Sequence, residues 1–97
     1  MRIFNAPIIE SACKSHVDVS GSLENWCLAV ERAHWNVPQE LKERYPGASI
    51  VRGDRLVFNI KGNRYRLVAR INFRKRLVYV RFFGTHKKYD RINVKEV

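Results

Sequence analysis

Hydrophobic residues recur every three or four positions through the first half of the chain and every second position through most of the rest. After a short strand expected at "RIF" (2–4), Ile8, Ile9, Ala12, Cys13, His16 and Val17 form one helical stripe to about residue 18. Pro7 sits near its first turn, where the missing N–H is harmless. "VSGS" interrupts that stripe. Ser22 then serves as the expected N-cap of a second helix carrying Leu23, Trp26, Cys27, Val30 and His34 along one side. Pro38 opens a third, short helix, "PQELKERY", which Pro46 and Gly47 stop.

From residue 49 the period is two. "SIVRGDRLVFNI" reads as one strand with an irregularity at Gly53–Asp54 or as two short strands about a turn there, and "KGN" (61–63) as a hairpin loop. Across 64–73, Tyr65, Leu67, Ala69, Ile71 and Phe73 point one way, and Arg64, Arg66, Val68, Arg70 and Asn72 the other. After the turn "RKR" (74–76), the same alternation puts Val78, Val80 and Phe82 in the core and leaves Tyr79, Arg81 and Phe83 outside. The expected fold is α+β: a single domain over residues 1–97, an antiparallel sheet with helices packed on one face, and a short C-terminal helix or turn.

Composition removes several classes of function. No apolar run approaches the roughly 20 residues of a membrane span. The first residues lack the apolar stretch of a secretory leader, so a cytoplasmic location without membrane contact is expected. Cys13 and Cys27 lie on helical stripes and read as buried free thiols of a reducing compartment; with three scattered histidines they show no zinc spacing.

Charge changes the picture more. Residues 1–49 hold 5 Lys/Arg against 6 Asp/Glu, a net of −1, whereas residues 50–97 hold 14 against 3, a net of +11. A one-sign field of that strength repels itself and implies a polyanionic partner, with nucleic acid foremost. The face of the sheet left uncovered by helices is expected to carry Asn59, Lys61, Arg64, Arg66, Arg70, Tyr79 and Arg81. Arginine forks phosphate and tyrosine stacks on bases, which suits single-stranded RNA. The bland alternative is a merely solubilising surface, but such a surface normally mixes in glutamate and this one has none.

The stretch "GTHKKYDRI" (84–92) follows that sheet. Thr85 is a good N-cap, and a helix beginning there puts His86, Tyr89 and Asp90 on one face. Lys88 stands where a capping box would want glutamate, so local stability is given up, as fits a site for an anion with Lys87 and Lys88 beside it. The competing reading is a loose terminal turn anchored by Tyr89. RNA carries its own nucleophile, the 2′-OH. Cutting it requires a base, an acid and cations around the phosphoryl oxygens. His86 and Tyr89 are both eligible for proton transfer, and Arg66 and Lys87 are natural phosphate clamps. No metal or other cofactor is called for, and no carboxylate cluster is present to hold one.

"VFNIKGNRYRLVARINF" followed by "VRFFGTHKKYDRI" resembles the HigB-type toxins of the RelE superfamily over about residues 50–92. The resemblance implies a RelE-like sheet flanked by helices and metal-free cleavage of translated mRNA in the ribosomal A site. It also implies neutralisation by a HigA-type helix-turn-helix antitoxin, through which alone operator DNA would be bound. Position by position, Arg66 matches the strand arginine that meets the scissile phosphate. His86 matches the catalytic basic position, Lys87, Tyr89 and Asp90 the rest of that segment, and Asn63 the hairpin position, where it touches RNA or only shapes the turn. His16 and His34 match nothing and read as helix-face residues in or near the core. Two other classes stay in view. A non-catalytic RNA- or ribosome-binding module needs only the basic sheet, whereas a DNA-binding regulator would want a basic recognition helix that the chain lacks.

Overall fold

The computed structural model describes residues 1–51, 54–62, 64–94 and 96–97. The chain begins with β1 (Arg2–Phe4), then α1 (Ala6–Ser15), a 3-10 turn (Val17–Val19), α2 (Ser20–Arg32) and α3 (Pro38–Arg44). It continues with β2 (Ser49–Val51), β3 (Arg55–Ile60), β4 (Tyr65–Asn72), β5 (Leu77–Thr85) and a final turn of helix, α4 (His86–Tyr89). The five strands make one sheet in the order β1-β5-β4-β3-β2. β2 through β5 pair antiparallel, as the alternation predicts, and β1 adds a parallel edge on Leu77–Tyr79.

The helices pack on one face, where the alternation buries Leu56, Phe58 and Ile60, Leu67, Ala69 and Ile71, and Val78 and Val80. Val19, Leu23, Trp26 and Val30 meet them from the helical side, with Leu41 from α3. Fully burying each such aliphatic or aromatic side chain contributes roughly 1.5–3 kcal/mol. Two local devices set the entry and exit of the helices. Asn5 takes a left-handed conformation (φ 72) and donates from Nδ2 to the Val80 carbonyl at 2.9 Å, tying the β1–α1 corner to β5. The Met1 amino group donates to the carbonyls of Val30, Glu31 and Ala33, placing a cation on the negative end of α2.

The second helix begins two residues before the expected cap. The 3-10 turn runs directly into α2, whose N-cap is Val19, and Ser22 lies inside the helix. α2 also stops at Arg32, with Ala33 extended (ψ 150). His34 therefore falls out of the helical register and is exposed, while Trp35 takes the buried place. Cys13 and Cys27 are free and half-buried. Burial, then Glu31, Cys13 and Glu24, push the Cys27 thiol up to about 11. No helix among the described residues is long and apolar enough to cross a membrane.

A candidate RNA-cleavage site at one end of the sheet

The face turned away from the helices is ordered by cross-strand pairs. Asn59 pairs with Arg66, which pairs with Gly84; Arg55 pairs with Arg70, which pairs with Tyr79. Between these two polar rows lies an apolar strip, Val57–Val68–Phe82. Val57 and Val68 are 3% and 0% exposed although they stand outside the helix-packed core. Arg55 donates from Nε and Nη2 to the Val97 main-chain oxygen, both at 3.2 Å, so the last residues of the chain return to this face. The face is cationic at its two ends and closed over its middle.

Not all of its cations are equally available. Arg66 is half-buried and donates to the Tyr65 carbonyl at 3.4 Å. Arg70 is held by Asp54 at 3.0 Å, and the Tyr79 ring stacks on Phe4 at 5.2 Å. Asn59 donates to the Gly47 carbonyl at 3.3 Å. Arg81 is exposed and, with Asp54, Arg70, Asn72 and Tyr79, lines a cavity of about 550 Å³ at the far end of the face.

A β-bulge corrects the expected inside–outside pattern of β5. Val68 pairs with Phe82 but Ala69 pairs with Val80, leaving Arg81 as the extra residue. One inserted residue exchanges the faces of everything after it. Phe82 therefore shares the open face with Val68, and Phe83 packs against the core, stacked on Tyr65 at 5.4 Å. Periodicity alone carries no mark of the insertion.

Past the bulge, the chain builds the end of the face nearest α4. Gly84 is buried opposite Arg66; a side chain there would start 2.8 Å from Phe82 Cζ and 3.5 Å from Lys88 Cβ, so glycine leaves room for the ring beneath α4. Thr85 caps α4 by accepting from the Lys88 N–H at 3.3 Å, as expected from its position. The His86 N–H donates to the Arg64 carbonyl at 3.2 Å, hanging α4 from the β3–β4 hairpin. His86 Nδ1 lies 3.0 Å from Asp90 Oδ2, one helical turn on. An Nδ1–H donated to that carboxylate leaves Nε2 with a free lone pair for proton transfer. Tyr89 is half-buried on the same turn; Lys87 and Lys88 are exposed. α4 is a single turn, too short to develop the dipole that the sequence pattern suggested.

Residues 19–92 match the model of the family described as HigB_toxin, a RelE-like toxic component of a toxin-antitoxin system. The chain belongs to the HigB toxin family. It is similar to the mRNA interferase toxin HigB of Escherichia coli (strain K12) and to the mRNA interferases HigB of Escherichia coli O157:H7 and Shigella flexneri. Each is 32% identical over 63 residues, which is 63% of this chain and 61% of the relative's length. The matched family segment includes α2 through α4 and leaves out β1, α1 and the residues before Val19.

In this HigB-family chain two expected members of the open face lie elsewhere. Lys61, with a positive φ of 53 in the hairpin turn, reaches Asp18 through Nζ, 2.9 Å from the carbonyl and 3.3 Å from Oδ2. Arg64 lies 3.6 Å from the same carboxylate, and the Tyr65 hydroxyl donates to it at 3.2 Å. The Asp18 carboxylate in the 3-10 turn draws both cations toward the helical layer. Asn63 lies outside the described residues. Arg55, which sequence reading passed over, belongs to the face; the phase of Arg55, Val57 and Asn59 in "RLVFNI" was the signal available for it.

Asp18 has a consequence for stability. Desolvation pushes its carboxyl up, but the Lys61 hydrogen bond and charge and the Tyr65 hydroxyl outweigh it, and the group sits below its ordinary 3.8. A carboxyl lowered on folding stabilises above its unfolded value and loses that contribution as pH falls through the folded one. Asp18→Asn is expected to lower the melting temperature at neutral pH and to shrink the difference from the wild type below about pH 4. Melting curves of both proteins across pH 3–7 check this, and a constant difference would remove Asp18 from the acid response.

Proposed function

We propose that this chain is an mRNA interferase, the toxic half of a toxin–antitoxin pair, that cuts translated message through its 2′-OH. The observation that carries this reading is the pairing of Arg66 with Gly84 two residues before a carboxylate-held histidine, at one end of a cationic sheet face. The names of the similar enterobacterial proteins agree with it.

In this reading the scissile phosphate lies against Arg66 and Lys87, which offset the charge growing on its oxygens. A base removes the 2′-OH proton, the oxygen attacks phosphorus, and the 5′-oxygen leaves with a proton from an acid, giving a 2′,3′-cyclic phosphate. His86 Nε2 and the Tyr89 hydroxyl are the two groups for those transfers, and Asp90 holds the imidazole ring. Asn59, Arg70, Tyr79, Arg81 and Lys88 guide the flanking strand. Lys61 and Arg64, engaged by Asp18, shape the hairpin and reach RNA only at its tip, and Asn63 is proposed to touch the RNA with them. The message is delivered in the ribosomal A site, and a HigA-type helix-turn-helix antitoxin neutralises the toxin and alone meets operator DNA.

The test is induction of the chain in bacteria with primer extension on a reporter message, made with and without a working start codon. Cuts are expected in the translated message and not in its untranslated twin. Equal cutting of both would overturn the ribosomal part. Growth inhibition without any cuts would favour a module that binds RNA or ribosome and does no chemistry.

A further inference from the structure

β5 outruns its neighbour. β1 pairs only with Leu77–Tyr79, so the edge of β5 toward Thr85 faces α1 instead of a strand. Between them lies an open cleft of about 400 Å³, lined by Ser11, Ser15 and His16 of the α1 region, Phe83 and Gly84 of β5, and Lys88 of α4. That volume is at the small end of the range of small-molecule sites, about 300–1,000 Å³. It suits one nucleoside and no larger element.

The lining has the parts of a base-binding site. Phe83, stacked on Tyr65 at 5.4 Å, and His16, edge-on to Tyr65 at 5.0 Å, make an aromatic wall. Ser11 and Ser15, one helical turn apart, add hydroxyls that both donate and accept. Lys88 stands at the rim, and among the described residues no acidic side chain lines the cleft. Gly84 and Lys88 border both this cleft and the end of the sheet face where Arg66 pairs with Gly84, so a strand crossing α4 meets the two places in succession. The whole α1 wall precedes the segment shared with the family.

We propose that this cleft receives one unstacked nucleobase of the RNA, adjacent to the scissile link, whose phosphate contacts Lys88. The inference rests on the RNA-cleavage reading and adds to it a place where base identity is felt. Aromatic stacking holds any base, and the two serine hydroxyls discriminate among edges.

The test uses the isotope-labelled full chain and an uncleavable 2′-O-methyl hexaribonucleotide, with an abasic strand of equal length as control. Amide signals of Ser11, Ser15 and His16 are expected to move with the hexanucleotide and to stay with the abasic strand. Ser11→Trp, which fills the cleft from an exposed helix position, is expected to weaken hexanucleotide binding at least about fivefold, the lower end of a lost base–aromatic stack. Equal movement with the abasic strand would make the cleft a phosphate contact and overturn the proposal. Movement confined to Asn59, Arg66 and Arg70 would overturn it and leave RNA binding standing. No movement anywhere would take the RNA reading down as well. If Ser11→Trp spares RNA binding but abolishes neutralisation by the antitoxin, the cleft is a protein dock and the proposal falls.

Discussion

Replacing His86 by alanine is expected to lower the cleavage of translated message by about 10²–10⁴-fold, the usual worth of a positioned acid or base. The fold should be indifferent. The imidazole is half exposed and its described bond is to the exposed Asp90 carboxylate, a surface pair worth about 0–1 kcal/mol. Melting temperature and chromatographic behaviour should therefore match the wild type while primer-extension products disappear. Asp90→Asn should produce a smaller loss, because it disturbs the ring's orientation without removing Nε2. Arg66→Ala should cost about 10²–10³-fold through the missing charge on the phosphoryl oxygens. Wild-type cutting by His86→Ala would take the imidazole out of the chemistry and leave Tyr89 as the base. Undiminished toxicity of the His86, Arg66 and Tyr89 alanine variants together would end the nuclease assignment.

The second large effect is on folding. Phe58 is 1% exposed, and its ring meets Trp26 edge-on at 5.3 Å and Tyr45 at 5.4 Å, joining β3 to α2 and to the end of α3. Phe58→Ala removes that ring from a packed core and is expected to cost about 3–5 kcal/mol. A domain of this size has roughly 5–15 kcal/mol in all, so the variant should unfold at a much lower urea concentration with little change in slope. Phe58 points away from the cationic face, since its neighbours Val57 and Asn59 hold the positions on that side. Any loss of cleavage should then track the folded fraction. A midpoint near the wild type's would mean that Trp26 and Tyr45 collapse together and refill the space.

Local pattern accounts for much of what the molecule is. The alternation of Tyr65, Leu67, Ala69 and Ile71 against Arg66, Val68 and Arg70 separates the two faces of β4 as observed. Thr85 as a cap, and His86 with Asp90 one turn apart, are likewise consequences of residues a few positions from each other. The resemblance of "VFNIKGNRYRLVARINF" and "VRFFGTHKKYDRI" to HigB toxins is met by the family match over residues 19–92.

Chain neighbours suffice for those features because rotation per residue and cap chemistry act over one turn or one pleat. Contacts between distant segments settled the others. The bulge that turns Phe82 out and Phe83 in is a mismatch between two strands and exists only once β4 and β5 are paired. Asp18 captures Lys61 and Arg64 across more than forty residues, and Asn5 reaches Val80 across seventy-five. Val97 returns to Arg55 at one end of the cationic face, and β1 covers only Leu77–Tyr79 on its edge of β5. Each depends on which groups meet after the chain has collapsed, and burial and pairing energies between remote residues leave no period in the order of the amino acids.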